Sequence, residues 1–197
     1  MSSEESTPVS ETIDVQRFRL KDSRGLVRAE LSMVGDGPCL GLLDTKGVRR
    51  AELALTGDGP FLTLRDANGK SRAVLSVLGD TPGLNLFDAD KKMRAALDVS
   101  GIGPCLELRD ANGKSRAGLV VDGEAPRLSL QAADGKSNAV LCVHAEGPLL
   151  DLCDRAGYRA GLGTFDVQSA KTGEQRWTSA ASVFLLDKDG KVIWRAP

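Results

Sequence analysis

Aspartate recurs at a fixed step along this chain of 197 residues: Asp22, Asp44, Asp66, Asp88 and Asp110, a lapse at Ala132, then Asp154. Arginine keeps the same step at Arg28, Arg50, Arg72, Arg94 and Arg116, each followed by alanine. A column of carboxylates could ligate cations. A column of guanidiniums is a candidate ladder for an extended anion or a partner protein. Each reading meets an obstacle. Asp66-Ala67-Asn68-Gly69 and Asp187-Lys188-Asp189-Gly190 open like calcium loops. Such a loop needs a glutamate at its twelfth position, and after Asp66 that position is Val77. The aspartates therefore read as turn formers, and no metal or cofactor is expected. Glu30, Glu52 and Glu107 are placed to reach the arginine face, and no aromatics interleave for base stacking. An ion-paired strand face is the expectation for the arginines, with no nucleic acid partner.

Other chemistry is sparse. His144 is the only histidine, with no nucleophile motif around it to form a triad. GxSxG, GxGxxG, HExxH and the phosphate-binding loop are all missing. Two acids would suffice for a glycosidase, but the sequence does not place any two of its 27 acids in one cleft. No catalytic residue is assigned, and a non-enzyme is expected. The four cysteines match no metal spacing, and four free thiols are the reading.

The elements that must carry these residues follow from the period itself. Pro38, Pro60, Pro82, Pro104, Pro126 and Pro148 mark the same 22-residue step. A fixed period of this length signals a repeat array. Within a copy, Leu62 and Leu64 alternate with Thr63 and Arg65, and Ala73, Leu75 and Val77 alternate with Val74 and Ser76. Period-two alternation predicts two short strands per copy, each with one apolar face. Glycine and proline density excludes long helices. Asp66-Ala67-Asn68-Gly69 and Gly79-Asp80-Thr81-Pro82 supply the turns.

Two all-β stackings satisfy the pattern. One is a stack of antiparallel β-hairpins forming an elongated or closed array. The other is a parallel β-solenoid with one copy per coil. In a solenoid the arginine column would repeat every ~4.8 Å. Like charges at that distance repel by ~0.9 kcal/mol per neighbour in water. A hairpin stack doubles the spacing, and the Asx-Gly turns suit hairpins, so the hairpin stack is preferred. The expected register pairs Leu64 with Ser71 and Leu62 with Ala73, then Val77 with Leu84 and Leu75 with Leu86. A long one-sided sheet must then hide its leucines by curling, closing or oligomerising.

Residues 1–16 read as a flexible tail, 17–162 as about seven copies, and 163–197 as a C-terminal cap with a partial repeat. The cap holds Trp177 and Trp194, placed where the array must cover its last apolar layer. Net charge is −1, so no bulk attraction to nucleic acid or anionic membrane is expected. The N-terminus lacks a secretory pattern and no apolar run is long enough for a membrane helix. A cytoplasmic location is the expectation, with non-classical export or a phage origin left open.

The repeat, with its closing Asp187-Lys188-Asp189-Gly190-Lys191-Val192-Ile193-Trp194, resembles a set of uncharacterised bacterial tandem-repeat proteins. These are built from L-x-D-x-x-G-x-x-R-A-x-L units of hairpin type. A weaker similarity is to YD/Rhs repeats, which also place Asp before a turn glycine. The resemblance brings a repeat architecture and no activity. The functional expectation is a non-enzymatic structural or assembly protein, presenting a regular sheet to itself as a homo-oligomer or to another protein. The alternative is a carbohydrate-binding or carbohydrate-active module of tail-fibre type.

Overall fold

The computed structural model describes residues 12, 14–164, 166–168, 175–177 and 182–196. It is all-β, with no helix among the described residues. The strands are β1 (Arg17–Lys21), β2 (Val27–Val34), β3 (Gly37–Leu43), β4 (Arg49–Thr56), β5 (Gly59–Arg65) and β6 (Ser71–Leu78). Next come β7 (Thr81–Phe87), β8 (Met93–Ser100), β9 (Gly103–Arg109), β10 (Ser115–Asp122), β11 (Ala125–Gln131) and β12 (Asn138–His144). The chain closes with β13 (Gly147–Cys153), β14 (Arg159–Gly163), β15 (Asp166–Gln168), β16 (Gln175–Trp177), β17 (Val183–Leu186) and β18 (Val192–Ala196).

Sixteen strands form one open meander in chain order, β1 through β14 followed by β17 and β18, while β15 and β16 pair with each other. Each hydrogen-bonded pair is antiparallel, as the hairpin stack requires, and the solenoid alternative is excluded. β1 and β18 are not joined, so the array does not close. The 164–182 insertion stands where a tight turn would join β14 to its neighbour, and β17 pairs onto β14 across it. The partial repeat therefore extends the main sheet. The expected flexible tail, Phe165 and the side chain of Trp177 lie outside the described residues.

The register differs from the expected one by two residues at both kinds of turn. Leu64 pairs with Ala73 and Leu62 with Leu75. Leu75 then pairs with Leu84 and Val77 with Pro82. A two-residue slip preserves the side-chain faces, because the pleat has period two. Two local devices explain the slip. At the aspartate end, residues 66–70 form the loop between Arg65 and Ser71, and the ladder then skips one residue at Arg72. That skipped residue is a β-bulge. At the other end only Gly79 and Asp80 separate the paired Leu78 and Thr81, which is the hairpin loop of two residues.

The tight turns alternate in conformation. Gly35, Gly79 and Gly123 have φ near +60° (60, 57 and 59). In the intervening copies the left-handed residue comes two positions later: Gly59, Gly103 and Gly147, with φ of 130, 129 and 137. Thr81 and Ala125 occupy that later position in two turns of the first kind, and side chains rarely adopt φ near +130°. Gly37 occupies it in the third without a positive φ, so glycine there permits the second turn but does not dictate it. The structural period of this end is thus two copies.

Gly59 has a second constraint. A Cβ built there would lie 2.0 Å from the Val77 carbonyl oxygen. Gly59→Ala should therefore destabilise the protein by ~1–3 kcal/mol, read from urea unfolding. Gly57→Ala, where a Cβ meets nothing within 4 Å, should be far milder. Lys91 shows the reverse case. It sits at φ 64 in the aspartate loop, where the other copies carry glycine. Lys91→Gly should raise the unfolding midpoint, by ~1 kcal/mol of stability, and an unchanged or lower midpoint would contradict this account of the loop.

Candidate functional site

The two faces of the sheet differ in kind. On the first, three apolar rows cross the strands. The central row runs Leu31, Leu40, Leu53, Leu62, Leu75, Leu84, Leu97, Leu106 and onward to Leu150 and Leu162. The second row alternates strictly: Ala29, Leu42, Ala51, Leu64, Ala73, Leu86, Ala95, Leu108 and so on to Leu152 and Ala160. The third row, beside the tight turns, pairs Leu55 with Pro60, Val77 with Pro82 and Val99 with Pro104. No charged residue stands in these rows. No second layer covers them either: Leu31, Leu53, Leu75, Leu97, Leu119 and Leu141 keep 47–52% of their surface exposed.

With strands ~4.8 Å apart and ~3.3 Å per residue, the sixteen-stranded face is about 75 Å by 23 Å, or about 1,700 Å². An apolar surface of this size is far beyond the few hundred Å² of an ordinary monomer.

The second face is built from small residues overlaid by long ones. Cys39, Ser32, Ala54, Thr63, Ser76 and Cys142 are buried although no sheet packs above them. Arg49 shows how. Its guanidinium donates to Glu52 at 2.8 Å and to the Cys39 sulfur at 3.4 Å. It lies so close over Gly41 that a Cβ there would meet Arg49 Nε at 2.8 Å. Arg65 reaches the same Glu52 at 2.9 Å. For Glu52, burial alone would raise the carboxyl pKa, but the two arginines outweigh it and hold it below its ordinary value. Near the C-terminal edge, Phe184 and Leu186 bury themselves against Leu149 and Val192.

The arginine ladder occupies the bulges. Arg28, Arg50, Arg72, Arg94 and Arg116 are the residues the ladder skips, which frees each side chain to turn toward the loop end. Arg50 donates from Nε to the Arg65 carbonyl at 2.9 Å and from Nη1 to Asp44 at 3.3 Å. Arg94 does the same to Arg109 and Asp88, at 2.8 and 3.2 Å. Arg28 reaches the Leu43 carbonyl at 3.1 Å and stands 3.6 Å from Asp22. Arg72 bridges Asp66 and the Asp88 carbonyl, and Arg116 bridges Asp110 and the Ala132 carbonyl. The ladder arginines thus pair with the turn aspartates. Glu30, Glu52 and Glu107, expected as their partners, pair with Arg19, with Arg49 and Arg65, and with Arg109 instead. The bulge explains the difference, since it turns the ladder arginines away from the row that holds the glutamates. The constant six-residue step from Asp to Arg was the signal available in the sequence.

Each aspartate serves its loop as well. Asp66 Oδ1 accepts from the Asn68 and Lys70 amides at 2.9 and 3.0 Å, and Oδ2 takes Arg72. The Asp22, Asp44, Asp88 and Asp110 loops repeat the pattern, and Asp154 accepts from the Ala156 and Tyr158 amides. Where Ala132 stands in place of the aspartate, Asp134 takes over and accepts from the Lys136 and Ser137 amides. Among the described residues, no three acidic, histidine or cysteine side chains converge as a metal site.

Trp194 is on the edge strand β18 and is 52% exposed, in the apolar row opposite Leu185. Cys142 lies 3.1 Å from His144 Nε2. Burial pushes its thiol pKa up, as it does for Cys105, which keeps both thiols protonated and poorly nucleophilic. A cleft of about 400 Å³ opens on the second face beside Arg127, Ser129, Gln131, Asn138 and Asp151. Asp151 is the only acid in its lining, and Arg159 pairs with it.

No known family's sequence profile matches the chain, and no curated protein does. Solved structures show distant likeness, among them two. One is a point mutant of Staphylococcus aureus TarM in complex with fondaparinux, α-GlcNAc-glycerol and UDP. It is 13% identical at a TM-score of 0.33, over 55% of this chain and 20% of that one. The other is the TCP10 domain of Danio rerio CPAP with a peptide of STIL: 10% identical, TM-score 0.29, over 91% of this chain and 98% of that one.

The carboxylates give a pH prediction. The carboxyl pKa of Asp66 lies below its ordinary 3.8: burial would raise it, but the Lys70 and Asn68 amides and Arg72 pull harder. Asp22, Asp44, Asp88 and Asp110 are lowered by the same kinds of contact. A lowered folded-state pKa adds stability above the unfolded value, and that stability drains as pH falls through the folded value. Urea stability should therefore begin to fall below pH 4.5, where Glu30 and Glu52 enter, and drop more steeply below 3.8. Asp66→Asn should be less stable at neutral pH and show a shallower acid slope.

Proposed function

We propose that this chain is a non-enzymatic structural or assembly protein whose working surface is the leucine face, covered by protein when the molecule acts. The observation that carries this reading is the uncharged apolar face, which leaves leucines exposed from one end of a single-layer sheet to the other. A one-layer sheet has no interior in which to bury it. The chemistry on the opposite face points the same way. Glu30, Glu52, Glu107 and Asp151 there are committed to arginines, and burial raises the thiol pKa of Cys142 and Cys105. The arginine ladder, the other candidate binding feature, is committed to loop ends. The carbohydrate-binding or carbohydrate-active alternative rests on the cleft beside Arg127, and one arginine-paired acid there does not make the carboxylate pair a glycosidase needs.

Light scattering tests the proposal. The parent protein should have a mass that is a multiple of 20.8 kDa. Leu75→Arg, in the middle of the face, should reduce it to a single chain while circular dichroism stays β-rich. Val74→Arg, one residue along and on the other face, should leave the mass unchanged. A parent already at 20.8 kDa, unaltered by Leu75→Arg, would overturn the reading.

A further inference from the structure

Resting on that assembly reading, we propose that the occupant of the leucine face is the leucine face of a second copy. The two sheets are related by a two-fold axis parallel to the strands. The face of about 1,700 Å² is twice the ~800 Å² per partner that a stable pair of proteins buries. Its lack of charge suits a partner surface equally without charge, and a second copy offers one of matching length.

The alternating row specifies the arrangement. Leucine is large and alanine small, so Leu42, Leu64, Leu86 and Leu108 stand as knobs, with Ala51, Ala73 and Ala95 as the hollows between them. A surface with knobs every second strand packs well only where knobs meet hollows. In this row every odd-numbered place from the first strand holds a leucine, and the even places up to β14 hold alanine. The sheet has sixteen strands, an even number. A two-fold axis parallel to the strands, passing between β8 and β9, lays the first strand of one copy over the last of the other. Places that meet always sum to seventeen, so one is odd and the other even. Leu42 on β3 meets Ala160 on β14, and Leu64 on β5 meets Ala139 on β12. Every leucine of the row up to β13 faces an alanine, except Leu20 on β1, which faces Trp194 at the edge. The central leucine row then packs on itself, with the sheets ~10 Å apart as in sandwiches. A two-fold axis along the length of the sheet would instead put the alternating row against the Val–Pro row, where the knobs have no hollows.

Extension from edge to edge is disfavoured. Arg19 on β1 and Arg195 on β18 occupy the same cross-strand row, and joining the edges would set these like charges side by side.

Single cysteines on the central leucine row, treated with a short bismaleimide, test the pairing in the full chain. The parent's own four cysteines lie off the leucine rows and give the background. Leu97→Cys sits beside the axis, one strand from its mate, and should link into a dimer. Leu106→Cys is the alternative should Leu97→Cys fail to fold. Leu40→Cys should not link to itself, since its mate is about eleven strands away, or ~50 Å. Mixed with Leu162→Cys, which it faces, it should give a linked heterodimer. Self-linking of Leu40→Cys would overturn this axis. A particle larger than two chains, dispersed by Leu75→Arg without linking at Leu97→Cys, would remove this pairing and leave the assembly reading standing. A parent of 20.8 kDa with no cross-links, or association indifferent to Leu75→Arg, would remove both.

Discussion

The structure depends on one three-way contact. A loop aspartate holds two backbone amides of its own loop with one oxygen and an arginine with the other. The arginine then reaches a carbonyl at the start of the next copy's loop. The contact does within a copy what capping does for a helix, and between copies what a layer of core does in an ordinary domain. It is placed by the bulge, because only a residue outside the ladder can turn its side chain along the sheet edge. Loop, bulge and arginine are therefore one device, repeated where a packed interior would normally fix the geometry.

This explains why the fold tolerates a face with no cover. In a two-layer domain, strand order and register follow from burying side chains between layers. Here both are set by the turns and by small residues lying under long ones on the second face, such as Gly41 beneath Arg49. The leucines contribute cross-strand contacts within a row, but those on alternate strands keep about half their surface. Their regularity is more than the monomer requires, since one-sided contacts would be served by any mixture of apolar residues. The strict leucine–alanine alternation has no use within a single sheet, and that is the reason to look for its complement outside it.

Much of the fold could be read from the sequence: the strands, the hairpin stacking and the common apolar face. The period and the alternation carry that information directly. The register could not, because Arg72 looks like an ordinary strand residue and a bulge leaves no mark in a two-fold pattern. The same blind spot misdirected the salt bridges. Arg72 seemed to share a face with the glutamates, and only the bulge sends it to Asp66. The doubled period of the tight turns is only partly written in the sequence: Thr81 and Ala125 exclude the second turn, but Gly35-Asp36-Gly37-Pro38 and Gly57-Asp58-Gly59-Pro60 are identical and turn differently. The exposure of the leucine face was the hardest part, since alternation reports which residues share a face and says nothing about what lies above it.

The meander has a consequence for the birth of the protein. Every pairing in the main sheet except β14 with β17 joins consecutive strands, so the array up to β14 does not wait for a distant part of the chain. Up to β14, loop closure involves the same few residues each time, and topology of this kind folds fast for its size. During synthesis each hairpin can pair with the one before it as soon as about 22 residues have emerged. The leucine face then grows outward from the ribosome strand by strand. Neighbouring chains on one message would carry unfinished faces of different lengths, with matching knobs and hollows already in place.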